Sequence, residues 1–463
     1  MFNLSVHNYR SFQNQTFNFS RINILIGENS GGKSSLLKLL LALKQTLDSP
    51  TEVNLKLNGD YTNLGNFEEV VYYNKKNRKI SIGFNVGEKY FDYFLDFFSD
   101  ISHRDANKSR LAGIKRIVND YKNSVTQVSF DFSSKLNDHS SIKTVFRNDR
   151  IGSLEIVQKR FKDENKNFRD LNCDLRFSFK EHSGLIENCF SFKDGFLTLV
   201  AAEFKIKCEE QFGDKGSYVY HSIAYLLVFQ NYIKDQIDKI RFVNPIGTSP
   251  RRFYFQEDKK STYKLIDIEK FINTLSDNTL SVKQYNERIR LLNSTIKAFG
   301  IAEEVSIIKE KQIPVVALKV KTKDFWSNIT DVGYGVSLQI PILFQSLLSE
   351  HYTKYGQTIL IEQPEVHLHP TLQAKFIETL LSIGAKNTYF IETHSEHIVR
   401  KLQVLVKNKV FNIKPEDITI HYFKREPRKF KVTEHKIIDG GKLVPAFPSG
   451  FYDSSYSLVK ELL

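Results

Sequence analysis

A chain of 463 residues is long enough for one large domain with an insertion, or for two or three ordinary domains, and 41% hydrophobic with 13% aromatic residues excludes an unfolded chain. The start, MFNLSVHNYRSFQNQ, has neither the basic end nor the apolar run of a secretory signal, and no stretch approaches the roughly 20 apolar residues a membrane helix needs, so a cytoplasmic protein with no membrane partner is expected. Cys173, Cys189 and Cys208 are too few and too scattered for a disulfide framework or a Cys-rich zinc site, and the net charge of +13 is spread along the chain, which leaves nucleic acid open as a partner without pointing to it.

In chain order, Phe2, Leu4 and Val6 alternate as a half-buried strand does, and SFQNQTFNF continues that period. Residues 22–26 form a continuous apolar run ending at Gly27, a third strand, and Leu36, Leu37, Leu39 and Leu40 predict a helix beginning at Lys33. From 72 to 207 the segments KISIGFNV, TQVSFDFSS, SLEIVQKRF, DLRFSFK and CFSFKDGFLTLV alternate between polar turns and predict a mixed sheet, interrupted by a helical stretch over 88–122. A long helix over 218–240 is expected to bury Ile223, Leu226, Leu227, Ile233 and Ile237. A helical block over 265–299 leads into strands VSIIKE and IPVVALKVK. The last third alternates in α/β fashion: helix 336–349, strand 358–362, helix 371–383, strand 388–392, helix 396–406, then strands ITIHYFK and KFKVTEH. The predicted class is α/β.

The strongest motif is Gly27-Glu28-Asn29-Ser30-Gly31-Gly32-Lys33-Ser34, a full Walker A pattern between an apolar strand and an amphipathic helix. Small residues let backbone N–H groups close around phosphate oxygens while the helix N-terminus faces the same anion. Lys33 then reaches the β- and γ-phosphates, and the Ser34 hydroxyl ligates Mg2+. Its partner is an acid at the end of a buried strand, which Ile359-Leu360-Ile361-Glu362 supplies. His367 and His369 read better as loop residues than as zinc ligands, since an i, i+2 pair without further ligands suits zinc poorly. Arg251, Arg252 and the basic run over 108–122, with Arg110, Lys115 and Arg116, are candidates for a phosphate, partner or nucleic-acid contact, or plain solvated surface.

In order, GENSGGKSS, DVGYGVSLQIPIL, ILIEQPEVHLHP and FIETHSEHIVRKLQ resemble the Walker A, signature, Walker B with D-loop, and switch-histidine segments of ABC-type ATPases. The branch is that of SMC proteins, recombination-repair ATPases and the OLD family. The resemblance extends to LGNFEEVVY at 64–72, where that branch places its Q-loop, and to the opening NYRSF, which contains Arg10. The closing FPSGFYDSS resembles a tail of prokaryotic ATPases linked to phage defence. About half of the chain is covered; residues 85–240 are not.

The resemblance implies an ABC-type P-loop ATPase head with a mixed sheet, built from 1–85 and 240–463, around an inserted α+β domain at 86–239. It implies ATP and Mg2+ as ligands, with Arg10, Gly27, Asn29, Ser30, Gly31, Gly32, Lys33, Ser34 and Ser35 on one nucleotide and Gly333, Gly335 and Ser337 on that of a second subunit. Ser34 and Glu362 would hold the metal, and His394 would sense the γ-phosphate. ATP would then bridge a homodimer, from which a higher homo-oligomer could be built. This sequence departs from the pattern at three places. Gly333 stands where the signature has its first serine, the Q-loop segment offers Asn63 and Asn66 but no glutamine, and Gln363 replaces the glutamate that polarises the attacking water. An amide orients water but is no useful base near neutral pH, so Glu365 is the substitute, alongside its other reading as a helix-start acid. Slow turnover, or ATP used as a structural ligand, follows from that substitution.

The implied role is that of the ATPase subunit of an anti-phage system, such as AriA of PARIS or, second, PtuA of Septu, controlling a separate effector, a nuclease. The sequence shows no second carboxylate cluster and little chain after the head, so the effector is expected on another chain. A repair or recombination ATPase acting on DNA is the alternative, although no coiled-coil arms are visible. A transporter subunit would require Leu-Ser-Gly-Gly-Gln and a shorter spacing between the Walker motifs.

Overall fold

The computed structural model describes residues 3–49, 55–74, 79–86, 125–132, 141–162, 168–179, 182–186, 191–192, 210–213, 216–243, 249–255, 265–277, 279–310, 313–323, 325–426, 429–448 and 461. In chain order these form β1 (Asn3–Tyr9), β2 (Phe12–Asn18), β3 (Ile22–Gly27), α1 (Lys33–Leu47), α2 (Phe67–Val70), β4 (Ile80–Val86), β5 (Thr126–Phe132), β6 (Ser141–Asn148), β7 (Gly152–Lys162), β8 (Phe168–Phe179), β9 (His182–Ile186), β10 (Ser191–Phe192) and α3 (Gly216–Asp238). There follow β11 (Ile240–Val243), β12 (Tyr254–Phe255), β13 (Leu265–Ile266), α4 (Ile268–Ser276), α5 (Val282–Phe299), β14 (Glu304–Lys309), β15 (Val315–Thr322), β16 (Phe325–Asn328), α6 (Tyr334–Tyr352), β17 (Thr358–Glu362), α7 (Pro370–Ile383), β18 (Thr388–Glu392), α8 (Glu396–Lys407), β19 (Ile418–Glu426), β20 (Lys429–Ile437) and β21 (Leu443–Val444). Contacts divide the chain into two units, Met1–Phe19 with Lys38–Asp238, and Ser20–Leu37 with Lys239–Leu463.

The first unit holds a sheet in the order β10-β8-β7-β6-β5-β4-β1-β2, with β9 on β8. Its described pairs are all antiparallel, and β1–β2 and β6–β7 are joined by short turns that fold the chain back as hairpins. The mixed sheet expected over 72–207 is therefore antiparallel where it is described. Period-two alternation buries one face: Leu4 and Val6, Ile80, Ile82 and Phe84, then Val128, Phe130 and Phe132. Because β4 pairs with β1 through Leu4 and Phe84 and with β5 through Phe84 and Val128, the sheet runs unbroken past residue 85. In α3, Ile223, Leu226, Ile233 and Ile237 are buried at helical spacing, while the Leu227 side chain lies outside the described residues. The helix expected over 88–122, with its basic run, also lies outside them.

The second unit holds a sheet in the order β13-β11-β17-β18-β3-β19-β20-β21 and a smaller one of β12, β14, β15 and β16. From β13 to β19 the larger sheet is parallel, and β20 and β21 close it antiparallel. Parallel strands covered on both faces call for largely apolar runs, and INILIG of β3 is buried at every position, its one polar side chain, Asn23, donating to the Ser20 and Tyr389 carbonyls. Ile24, Ile361 and Ile391 join Ile342 of α6, Phe376 and Ile377 of α7 and Leu402 of α8 in one apolar cluster. The helical block expected over 265–299 is two helices. Asp267 caps α4 by accepting from the Lys270 N–H, and Ser281 with Gln284 forms a capping box that starts α5, so the polar stretch between them ends one helix and begins the next. Among the described residues no helix is long and apolar enough to cross a membrane.

His421 of β19 is fully buried, and burial pushes its imidazole down to about 3, against the usual value near 6.5. The ring is neutral in the folded chain and charged in the unfolded chain below about pH 6.5, so the unfolded state binds the extra proton and stability falls as pH drops through that window. Replacing His421→Leu is expected to shrink the stability loss between pH 7 and pH 5 by up to about 2 kcal/mol, measured by urea denaturation at both pH values.

Candidate functional site

At the end of β3, Gly27 adopts φ +139°, and a Cβ there would run into the Phe423 carbonyl of β19. Only glycine lets β19 approach this closely. The Glu28 N–H donates to the same Phe423 carbonyl at 3.0 Å, and the Gly31 N–H donates to the Glu28 carbonyl at 3.1 Å. With Ser30 at φ +61° and Gly32 at φ +106°, the chain turns tightly into α1, whose first bonds run from Ser35 and Leu36 N–H to the Gly32 carbonyl. Asn29 and Ser30 are exposed at the tip. Lys33 is 4% exposed, and its ammonium reaches back to the Gly27 carbonyl at 3.1 Å and the Glu28 carbonyl at 2.8 Å. Burial pulls the Lys33 pKa down, opposed by Glu392, Glu28 and Glu365. The Ser34 hydroxyl donates to Glu392 Oε1 at 2.8 Å.

The parallel register brings the acids to the same sheet edge. Glu362 at the end of β17 pairs with Glu392 at the end of β18, and Glu392 pairs with Leu25 of β3. In such sheets ligands bind outside the C-terminal strand ends. Gln363 follows at φ +44°, held by its N–H donating to the Glu392 carbonyl at 2.7 Å. The turn continues with Val366 N–H on the Gln363 carbonyl and Leu368 N–H on that of Glu365, and the buried Gln339 of α6 ties it down by donating to the Pro364 carbonyl at 2.7 Å. Glu365 Oε1 accepts the His394 backbone N–H at 2.6 Å, while Oε2 is buried without a well-formed hydrogen bond. Burial pushes the Glu365 pKa up, moderated by that N–H, the nearby Thr393 hydroxyl and the Lys33 charge. Burial, with Lys33 second, lowers the His394 pKa, which keeps its ring neutral near pH 7. Three segments far apart in sequence thus meet at one edge.

The signature-like residues have separate surroundings. Gly333 precedes α6 with open space around its Cα and no side-chain cap, whereas a Cβ on Gly335 would press on the His367 carbonyl. Ser337 is buried, and its hydroxyl donates back to the Tyr334 carbonyl at 2.8 Å. The exposed Arg252 forks onto Asp331 at 2.6 and 3.2 Å, just before Gly333, and Arg251 lies 3.9 Å from Glu269. His369 caps α7 by accepting the Thr371 N–H, and the His367 ring packs edge-on against Tyr334. In the first unit, Arg10 sits at φ +44° with its N–H donating to the Val70 carbonyl at 2.6 Å and its guanidinium 3.5 Å from the Leu64 carbonyl, so it belongs with the 64–72 segment. Asn66 caps α2, and Asn63 accepts from the Gly59 N–H, which commits both asparagines to local turns. Most of FPSGFYDSS lies outside the described residues. Among those described, no group of three His, Cys, Asp or Glu side chains is arranged to hold a metal ion. Mg2+ keeps its waters and binds through one or two carboxylates together with substrate phosphates, and the Ser34 hydroxyl beside the strand-end carboxylates of Glu362 and Glu392 is a donor set of that kind.

The AAA ATPase domain model matches residues 1–399, most of the chain. The chain belongs to the AAA ATPase domain family. No curated protein matches this ATPase. Among solved structures it is similar to an SMC head bound to the C-winged helix domain of ScpA, at 10% identity and TM-score 0.43, covering 94% of this chain and 98% of that one. It is similar too to the SMC head domain from Thermotoga maritima, at 9% identity and TM-score 0.35, covering 93% and 97%. A third likeness is to an Smc head domain with an extended coiled coil bound to the C-terminal domain of ScpA, derived from Pyrococcus furiosus, at 8% identity and TM-score 0.38, with full coverage of both. Likeness at this level carries no inference about activity.

Glu392 escaped the sequence reading although FIE, like ILIE, is an apolar strand ending in an acid; only the strand order shows that it adjoins Ser34. Two glycines of this ATPase offer a paired test of its geometry. Gly27→Ala is expected to destabilise the protein by about 2 kcal/mol or more, because the new methyl group meets backbone at a positive φ, while Gly333→Ala leaves the melting curve within error.

Proposed function

We propose that this ATPase binds ATP with Mg2+ on the 27–35 loop, hydrolyses it slowly, and uses nucleotide-driven pairing of two heads to control a separate effector, a nuclease, in an anti-phage defence system. The observation that supports it most is the convergence of Lys33 and Ser34, the strand-end Glu362, and the Glu365–His394 pair on one edge of the parallel sheet. Lys33 would turn from its loop carbonyls to the β- and γ-phosphates, joined by the N–H groups of Gly32 and Ser34. Ser34 and Glu362 are the residues that would hold Mg2+, which when bound offsets phosphate charge and aligns the γ-phosphate.

Glu365 is the base in this reading. Its raised pKa makes it a stronger proton acceptor than an exposed carboxylate, and the His394 amide fixes the orientation of its carboxylate. Water attacks the γ-phosphorus, its proton passes to Glu365, and the bond to the β–γ bridging oxygen breaks to release ADP. Gln363 orients that water and slows the step relative to a glutamate there. The open N-terminus of α6 at Gly333, with the uncapped amides of its first turn, is where the γ-phosphate of a second subunit's nucleotide would dock. The defence role rests on the resemblance of the sequence segments to phage-defence ATPases, and genomic neighbourhood tests it.

In purified protein, Mg-ATP is expected to raise the assembly mass to that of a dimer or a multiple of it. Lys33→Ala should lose this response together with at least about tenfold in ATP affinity. Glu365→Gln should keep binding and assembly while turnover falls by about 100-fold or more. Wild-type protein that binds Mg-ATP yet stays at one mass would remove the paired-head reading, and unchanged turnover in Glu365→Gln would remove the assigned base.

A further inference from the structure

Ser34 and Glu392 stand 358 positions apart in sequence, yet their side chains share a hydrogen bond of 2.8 Å, and its direction matters. A serine hydroxyl that ligates a cation does so through an oxygen lone pair, so its proton must point away from the metal to an acceptor. Glu392 Oε1 is that acceptor. The Glu392 backbone is held on a rigid frame: its main-chain carbonyl receives the Gln363 N–H at 2.7 Å, and the following Thr393 N–H donates to the Leu25 carbonyl at 3.0 Å. A glutamate only 4% exposed calls for a compensating partner, and Glu392 is also the first charge acting on the buried Lys33.

We propose that Glu392 is a positioning residue for the nucleotide's Mg2+: by accepting the Ser34 hydroxyl hydrogen bond, it turns the Ser34 lone pair toward the metal and so sets metal affinity. The inference rests on the reading of the 27–35 loop as a nucleotide site. It gives strand β18 a share of the metal-side work that the sequence assigned to Glu362 on β17 alone. Partners that orient a ligand in this way are worth about 10- to 100-fold in metal affinity. The plain alternative is that Glu392 serves only as counter-charge to Lys33, and the two roles differ in what they do to ATP binding when Mg2+ is removed.

The experiment measures binding of a fluorescent ATP analogue in EDTA and across a Mg2+ titration, for wild type, Glu392→Gln, Glu392→Asp, Ser34→Ala and the Ser34→Ala/Glu392→Gln double variant, with nucleotide-free melting curves as a check of folding. Glu392→Gln is expected to bind the analogue in EDTA no more weakly than wild type, since one repelling carboxylate is gone, while its Mg2+ half-saturation rises about tenfold or more. Glu392→Asp, which keeps the carboxylate, should recover part of that shift, and supplies the comparison if the glutamine variant fails to fold. Because Glu392 acts through Ser34, the double variant should match Ser34→Ala alone. An unchanged Mg2+ requirement, equal losses with and without Mg2+, or shifts that multiply in the double variant would each overturn the proposal. Wild-type protein that binds no analogue in either condition would instead overturn the nucleotide-site reading beneath it.

Discussion

The parallel register of β17, β18 and β3 is the constraint on which the rest depends. Thr393 N–H on the Leu25 carbonyl and Gln363 N–H on the Glu392 carbonyl tie each strand end to the next. With the three C-terminal ends aligned, the 27–35 loop, the Glu362–Glu365 turn and the Glu392–His394 segment leave the sheet at the same edge. A slip of one residue would turn Glu392 away from Ser34 and Glu362 toward the opposite face, since side chains alternate along a strand. The apolar cluster around Ile24, Ile361 and Ile391 fixes that register, so the hydrophobic core and the site are set by the same hydrogen bonds.

The electrostatics of the edge explain why nucleotide and metal should arrive together. Lys33 is surrounded by Glu392, Glu28 and Glu365, and these carboxylates oppose the burial that pulls its pKa down. A polyphosphate entering alone would be repelled by the same acids. A divalent cation carried with it restores balance, and a site built mostly from backbone N–H groups and one lysine avoids a permanent excess of positive charge. The close approach of Phe423 to Gly27 and the left-handed turn at Ser30 shape that backbone before any ligand binds.

Much of this was legible in the sequence, for identifiable reasons. The strands at Thr358–Glu362 and Thr388–Glu392 fall where the apolar runs place them, and the helix that follows each lies within a residue or two of its expected ends, because Pro370 and Ser395 mark the starts chemically. The Walker A loop was legible because its glycines have no other common use at that spacing. Hidden from the sequence were features set by strand order and side-chain direction. The Ser34–Glu392 bond requires knowing that β18 lies between β17 and β3. The inward turn of the Ser337 hydroxyl, and the use of Asn66 as a helix cap, depend on local geometry that composition does not reveal. The antiparallel continuation of the first unit's sheet past residue 85 was hidden for a related reason, since alternation shows strands without showing their partners.

The most direct test of the central claim is a structure of the chain with Mg2+ and a non-hydrolysable ATP analogue. The expected result places the phosphates within the 27–35 loop, with the Lys33 ammonium moved from the Gly27 and Glu28 carbonyls to the β- and γ-phosphates and the metal beside Ser34 at the ends of β17 and β18. An analogue bound elsewhere, or a Lys33 that keeps its loop carbonyls with nucleotide present, would contradict the account.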